Sequence, residues 1–162
     1  EARAHVGWDA DETVVLFPYE RSRPEKDYPR AAEVVERADV DADLRVVTDV
    51  PYAEMPYYLN ASDALLVTST RESGPMVVKE AAACNVPVVA TDVGFVRETL
   101  TDVHDSLVCS DTEGLVAGLE AVLDGPGRTD ARETVDGLGL SRMATDLVDV
   151  YDRAIAARGA TV

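Results

Sequence analysis

The sequence predicts an α/β domain with a doubly wound, mostly parallel sheet of the Rossmann-like type. Five short apolar segments, rich in β-branched residues, recur along the 162-residue chain, and helical patterns separate them. These segments are almost continuously apolar, which is typical of strands that are covered on both faces. Right-handed crossovers would bring the carboxyl ends of all five strands to one edge, where ligands of such folds bind.

Each predicted strand is a run of four or five mostly apolar residues, and the runs lie at 13–17, 44–48, 64–68, 86–90 and 106–109. Helices are predicted near 28–38, 53–61, 75–84, 95–100, 111–124, 130–137 and 141–158. In the last helix, apolar residues at helical spacing favour packing against the domain, although its length would also let it reach a neighbouring domain. The Gly and Pro residues at 124–127 predict a loop.

The length of 162 residues allows one domain with a real core and is too short for two ordinary ones. No apolar run approaches the ~20 residues of a membrane span. The first segment, EARAHVGWDADE, is charged, lacks a signal-peptide core and begins in a polar helix without Met. We therefore expect residues 1–162 to be one domain of a longer protein. Cys84 and Cys109 lack further partners for a metal, which favours small buried thiols.

The charge of the chain is strongly negative, with 31 acids, 15 bases and a net charge of −16. Such a surface repels nucleic acid and anionic lipid, so neither is expected as a partner. The acids are scattered, which favours a solvated coat suited to the high-salt cytoplasm of a halophile. An ordinary acidic enzyme is the alternative. A cytoplasmic location is expected, and a missing domain could place the protein at the inner face of the membrane.

Two glutamates frame the start of the predicted helix near 75–84. Glu72 lies just before Gly74-Pro75, and Glu80 lies inside the helix. Proline suits the first helical position, and the free amides and dipole at a helix start bind anions. Carboxylates accept hydrogen bonds from sugar hydroxyls. The spacing therefore suits a nucleotide sugar, in which a diphosphate joins two sugars, although two ordinary surface acids would look the same.

A basic loop follows the first predicted strand at the same edge of the sheet. It contains Arg21, Arg23 and Lys26, in a chain whose only other lysine is Lys79. Cations at this place are natural counter-charges for a diphosphate. The alternative is a surface loop held by salt bridges.

Several ordered segments of the chain resemble retaining glycosyltransferases of the GT-B fold, sequence family 4, also called glycosyl transferases group 1. ESGPMVVKE at 72–80 is similar to the E-x7-E element of that family, and AAACNVPVVATDVGFVRE resembles the segment that follows it. RSRPEK at 21–26, MPYYLNASDALLVTS at 55–69 and the closing helix are similar to further family segments. The resemblance covers nearly the whole chain, but only the C-terminal, donor-binding half of the two-domain fold.

The resemblance implies a role for individual residues. Arg21 and Lys26 would contact the diphosphate of the donor, Glu72 would hold the transferred sugar at the reacting carbon, and Glu80 would bind the ribose. The sugar and phosphate would also be lined by the backbone of Ser73, Gly74, Pro75, Met76 and Val77, and the base would lie near Val50 and Pro51. No metal ion or cofactor besides the donor is expected. The acceptor would bind the absent N-terminal domain, so the isolated domain should be inactive.

Glu20 and Asp27 replace family glycines beside the basic loop, and residues 72–75 read Glu-Ser-Gly-Pro where the family often has Glu-Gly-Phe-Gly. Because of these two departures, donor recognition is expected to differ in detail from that of the family. Other functions remain open: a sugar-nucleotide epimerase or phosphorylase of the same fold, or a non-catalytic nucleotide-binding module. Asp92 and Asp102 could pass for metal ligands, but no supporting spacing accompanies them.

Overall fold

A computed structural model describes residues 1–101 and 103–159 of the chain; Asp102, considered above as a metal ligand, lies outside them. The strands are β1 (Val14–Phe17), β2 (Asp43–Val46), β3 (Ala64–Val67), β4 (Val88–Thr91) and β5 (Leu107–Cys109). The helices are α1 (Ala2–Val6), α2 (Tyr28–Arg37), α3 (Met55–Ala61), α4 (Met76–Ala83), α5 (Val96–Leu100), α6 (Thr112–Leu123), α7 (Ala131–Val135) and α8 (Leu140–Gly159). Three-residue 3₁₀ turns occupy Pro24–Lys26, Tyr52–Glu54 and Asp136–Leu138.

The five strands form one sheet in the order β2-β1-β3-β4-β5, and every neighbouring pair is parallel. The predicted doubly wound α/β fold is therefore confirmed. The chain winds from β1 to β2 in one direction and then crosses back to β3 on the other side of β1. This reversal places the topological switch point between the carboxyl ends of β1 and β3.

The sheet is buried on both faces because its central strands are apolar at nearly every position. Along β1, Leu16 packs into the cluster on one face, whereas Val15 and Phe17 pack into the cluster on the other. Helices α3, α4, α5 and α7 cover the first face with buried residues such as Leu59 and Val78. Helices α2 and α6 cover the second face. This two-sided cover explains why the central strand segments lack an alternating pattern.

Three expectations about local structure were wrong in detail. Pro75 is the N-cap of α4, with extended backbone (φ −69°, ψ 103°), and the helix begins one residue later at Met76. Cys84 and Cys109 are free thiols but are only partly buried. Helix α8 does not pack its apolar residues into the domain, since Met143, Leu147, Val150, Tyr151 and Ile155 are all exposed.

The amino edge of the sheet, opposite the switch point, is acidic. Asp39, Asp41, Glu120 and Asp124 surround a surface cavity of about 700 Å³. Among the described residues, no group of three or more His, Cys, Asp or Glu is arranged to hold a metal ion. Within the same residues, no helix is both long enough and apolar enough to cross a membrane.

Candidate functional site

The loops that follow β1 and β3 are tied together at the switch point. The Thr68 hydroxyl, just after β3, donates to the backbone carbonyls of Lys26 (2.9 Å) and Asp27 (3.0 Å). The Thr70 amide donates to the carbonyl of Glu25 at 2.9 Å. From the next strand, the Thr91 hydroxyl donates to the Ser69 carbonyl at 2.6 Å. The basic loop and the loop that carries Glu72 are therefore held against each other.

Lys26 and Glu72 form an ion pair across this junction. The ammonium nitrogen of Lys26 contacts Oε1 of Glu72, and the Ser69 hydroxyl donates to the same oxygen at 3.0 Å. Lys26 is only 5% exposed. Its nitrogen also lies 4.0 Å from the centre of the Tyr19 ring, an arrangement that favours a cation over the aromatic face. The sequence predicted that Lys26 contacts the donor diphosphate and that Glu72 contacts the transferred sugar. In the free protein these two residues contact each other.

Tyr19 completes this cluster from the loop after β1. Its ring packs edge-on against Phe17 with the ring centres 5.3 Å apart. Its hydroxyl is the one buried side-chain oxygen or nitrogen without a hydrogen-bond partner among the described residues. Burial, and then the negative charge of Glu72, raise the pKa of the phenol well above its usual value. Tyr19 is therefore held as the neutral phenol beside two charged groups.

Helix α4 presents free backbone amides at the same edge. No side chain caps its N-terminus, and the first amides of a helix have no partner within it. The predicted lining residues lie here: Pro75 is buried, Val77 is partly buried, and Ser73 and Met76 are exposed. These amides and the positive end of the helix dipole suit an anion.

The loop at 72–74 is shaped by close contacts with the loop after β4. Gly94 has a positive φ of 54°, and a Cβ atom there would lie 3.0 Å from the carbonyl oxygens of Glu72 and Ser73. Only glycine accepts both the left-handed backbone and this close approach. A Cβ atom on Gly74 would similarly meet the Phe95 ring at 3.1 Å. The loop after β4 thus packs closely against the backbone of residues 72–74.

Glu80 and Tyr52 lie beside each other at the carboxyl edge of the sheet. The negative charge of Glu80 raises the pKa of the Tyr52 phenol, which lies in the 3₁₀ turn after β2. Both side chains line a cavity of about 140 Å³, with Met55 and Leu59 among its walls. Glu80 is partly buried and lines this cavity at the carboxyl edge of the sheet.

The residues predicted for the base lie beside a second cavity at this edge. Val50, Tyr19, Arg23 and Met55 are among the residues that line it, and its volume is about 220 Å³. Pro51 is exposed and immediately precedes the Tyr52 turn. Because Met55 lines both cavities, they lie side by side between the loop after β1 and helix α4.

The remaining cations of the basic loop are exposed. Arg21 lies over the Tyr28 ring, 4.6 Å from its centre, and forms no ion pair with any described residue. Arg23 is paired with Glu25, whose pKa falls because of its own backbone amide and the Arg23 hydrogen bond. Asp27 caps α2 by accepting from the Arg30 amide, with a positive φ of 52°. The acid at this family glycine position therefore has a structural role.

Tyr19, Ser69 and Tyr52 are residues of this site that sequence analysis did not single out for it. Each lies in the loop that follows a strand, at the carboxyl edge of the sheet. This position is the feature of the sequence that could have indicated a role at the site. The hydroxyl of Ser69 donates to Glu72, a contact that no local sequence pattern indicates.

The fold is that of one half of the two-domain GT-B architecture. The chain belongs to the family described as glycosyl transferases group 1, whose model matches residues 25–135. It is 31% identical over 144 residues to the D-inositol 3-phosphate glycosyltransferase of Kineococcus radiotolerans, covering 80% of this chain and 33% of that protein. A glycogen synthase of Mycobacterium tuberculosis is 30% identical over 90 residues, which are 54% of this chain and 22% of that protein.

Solved structures share the fold at lower identity. Sucrose-phosphate synthase of Thermosynechococcus elongatus has a TM-score of 0.80 and 21% identity, covering 96% of this chain and 49% of that one. HepE of Anabaena, solved in complex with UDP and glucose, has a TM-score of 0.65 and 16% identity, covering 99% of this chain and 51% of that one. The chain thus spans about a third of the first curated relative and about half of these solved chains.

Proposed function

We propose that this chain is the donor-binding domain of a retaining glycosyltransferase, which transfers a sugar from a nucleoside diphosphate sugar to a hydroxyl acceptor. The proposal is supported most directly by the Lys26–Glu72 pair beside the free amides of α4, within a chain of this family. The solved complex of HepE with UDP and glucose is consistent with a nucleotide-sugar ligand for the shared fold.

The candidate site is suited to stabilising the negative charge that develops on a leaving diphosphate. As the bond between the sugar and the phosphate breaks, negative charge grows on the diphosphate, and preorganised donors stabilise it most where water is excluded. The α4 amides, Lys26 and Arg21 would supply those donors. Glu72, held by Lys26 and Ser69, would accept hydrogen bonds from hydroxyls of the sugar while its reacting carbon becomes cationic.

The acceptor side of the reaction belongs to a second domain under this proposal. The chain spans about a third of the first curated relative, so residues outside it would supply the acceptor site. We expect the 162-residue chain to bind nucleotide sugars weakly and to turn over little or none of them by itself.

Isothermal calorimetry with UDP-, GDP- and ADP-glucose tests this function. Wild type should bind at least one donor, and Arg21→Ala should weaken binding by about tenfold or more because a charged contact to phosphate is lost. Arg142→Ala is the matched control, since Arg142 is an exposed arginine on α8 that pairs with Asp146. Absence of binding for all three donors, at low and high salt, would contradict the proposal.

A further inference from the structure

The hydroxyl of Tyr19 is a buried hydrogen-bonding group that has no partner in the free protein. Among the described residues, it is the one buried side-chain oxygen or nitrogen of this kind. Buried tyrosine hydroxyls are usually hydrogen-bonded, because an unsatisfied buried polar group lowers the stability of a fold. A phenylalanine in its place would keep the ring and avoid this cost. The hydroxyl therefore calls for an explanation other than stability, and a role in ligand binding is one.

The Tyr19 ring is held in place by its neighbours, and its hydroxyl is therefore held as well. The ring packs edge-on against Phe17, with ring centres 5.3 Å apart, and the Lys26 ammonium lies over its face, 4.0 Å from the ring centre. The Lys26 backbone is tied in turn to the residue after β3, because its carbonyl accepts a hydrogen bond from the Thr68 hydroxyl at 2.9 Å. A donor that is already positioned loses little conformational freedom when a ligand binds it.

The hydroxyl remains available as a donor because Glu72 is bonded to other groups. Oε1 of Glu72 accepts from Lys26 and, at 3.0 Å, from Ser69, and the Tyr19 hydroxyl has no bond to this carboxylate. Burial, and then the charge of Glu72, raise the pKa of the phenol well above its usual value, so it keeps its proton. The Lys26 ammonium has three N–H donors and can bind a further oxygen while it contacts Glu72. Tyr19 and Lys26 thus offer adjacent donors.

Tyr19 is one wall of a cavity of about 220 Å³ at the carboxyl edge of the sheet. Arg23 lines the same cavity, and its ion pair lies at the surface, where such pairs are weak enough for a ligand to displace them. Glu20 and Asp49 also line the cavity, but both are exposed, so solvent and salt screen their charges. The charge of buried Lys26 is screened much less. An anionic oxygen is therefore a suitable acceptor beside Lys26.

We propose that the Tyr19 hydroxyl donates a hydrogen bond to a phosphate oxygen of the nucleoside diphosphate donor, beside Lys26. This inference rests on the proposed function and adds a binding residue outside the family-like segments at 21–26 and 72–80. The phosphate oxygen is the partner that the hydroxyl lacks in the free protein. Tyr19→Phe should therefore have opposite effects on two measurements, since it stabilises the ligand-free fold and weakens ligand binding.

Calorimetry with UDP, GDP, ADP and inorganic pyrophosphate compares wild type with Tyr19→Phe. Loss of a hydrogen bond to a charged group should weaken the binding of every nucleotide that wild type binds by about 10- to 150-fold. Pyrophosphate, which has neither base nor ribose, should lose affinity by a similar factor, because the lost contact is to phosphate. Thermal unfolding gives the second measurement. Without ligand, Tyr19→Phe should melt above wild type, and added nucleotide should raise its melting temperature less than that of wild type.

Tyr151→Phe is the matched control, because it removes a phenol hydroxyl from a tyrosine on α8 that is 59% exposed, and it should leave all affinities within about twofold. Equal nucleotide binding by wild type and Tyr19→Phe would overturn the inference and leave the proposed function intact. A loss for nucleotides without a loss for pyrophosphate would also overturn it, as would a lower melting temperature of ligand-free Tyr19→Phe. If wild type binds none of the nucleotides, the proposed function fails and this inference fails with it.

Discussion

Lys26 and Glu72 are 46 residues apart in the sequence and form an almost fully buried ion pair at the switch point of the sheet. Lys26 comes from the loop after β1, and Glu72 comes from the loop after β3. Taking two charges out of water is costly, and this cost is offset only when each charge is well paired. Substitutions of this pair at the candidate site should therefore change the stability of the fold.

Removal of one partner of this pair should be strongly destabilising. Glu72→Ala leaves the Lys26 ammonium buried beside Tyr19 without a counter-charge, and we expect the free energy of unfolding to fall by about 3 to 5 kcal/mol. Urea denaturation at fixed ionic strength measures this loss. The double variant Lys26→Met/Glu72→Leu removes both charges and should lose clearly less than the single variant. The single variants Lys26→Met and Glu72→Leu complete the cycle, and a double variant whose loss equals the sum of their two losses would contradict a coupled pair.

The unpartnered hydroxyl of Tyr19 predicts a stabilising substitution. Tyr19→Phe keeps the ring contacts with Phe17 and Lys26 but removes a buried oxygen that has no hydrogen bond to any described residue. Since an unsatisfied buried polar group costs about 1 to 3 kcal/mol, the free energy of unfolding should rise by about 1 kcal/mol. Tyr28→Phe is the control, because the Tyr28 ring also packs on Phe17 (centres 5.6 Å apart). A lower melting temperature for Tyr19→Phe than for wild type would refute the prediction.

Tyr19 should also make stability sensitive to alkaline pH. Its pKa is raised in the folded state, so above the ordinary value of 10.0 the unfolded chain releases this proton while the folded chain retains it. Stability is then fully present below about pH 10 and falls as pH rises further, because the folded state binds more protons. Denaturation curves from about pH 9 to about pH 11.5 should show a shallower fall for Tyr19→Phe. Equal slopes for the two proteins would exclude this contribution.

A side chain at Gly94 should be strongly destabilising, whereas a side chain at Gly127 should be less destabilising. Both have positive φ (54° and 79°), but only at Gly94 does a new Cβ atom meet backbone, whereas at Gly127 it meets nothing within 4 Å. Gly94→Ala should therefore lower the free energy of unfolding by about 1 to 3 kcal/mol more than Gly127→Ala, through overpacking against residues 72 and 73. Urea denaturation measures the free energy of unfolding of both variants. Equal losses would show that the close approach of residues 72 and 73 to Gly94 does not contribute to the cost.

The fold was predictable from the sequence because the burial of β1, β3 and β4 on both faces leaves a direct compositional signal. These strands show no alternation of apolar and polar residues, and such uninterrupted apolar runs indicate a covered parallel sheet. The start of α4 was predicted one residue early, since proline is acceptable both as an N-cap and as the first helical residue.

Side-chain pairing within the site could not be predicted from residue types and spacing. Lys26 and Glu72 were each matched with a ligand, and nothing in the local sequence shows that the strand order brings them together. The proximity of Tyr52 to Glu80 likewise depends on how the turn after β2 faces α4. The exposure of α8 was missed because apolar residues at helical spacing predict a packed face without identifying what covers it.

The acidic amino edge and the net charge of −16 have a consequence for the speed of ligand capture. Under the proposed function, a nucleoside diphosphate would approach a molecule of its own sign, and long-range repulsion would oppose each encounter until the ligand reaches the cations of the candidate site. The screening length falls from about 10 Å at about 0.1 M salt to about 3 Å at about 1 M. The association rate constant should therefore increase as brine replaces dilute buffer, the reverse of the behaviour of enzymes that attract their substrates electrostatically.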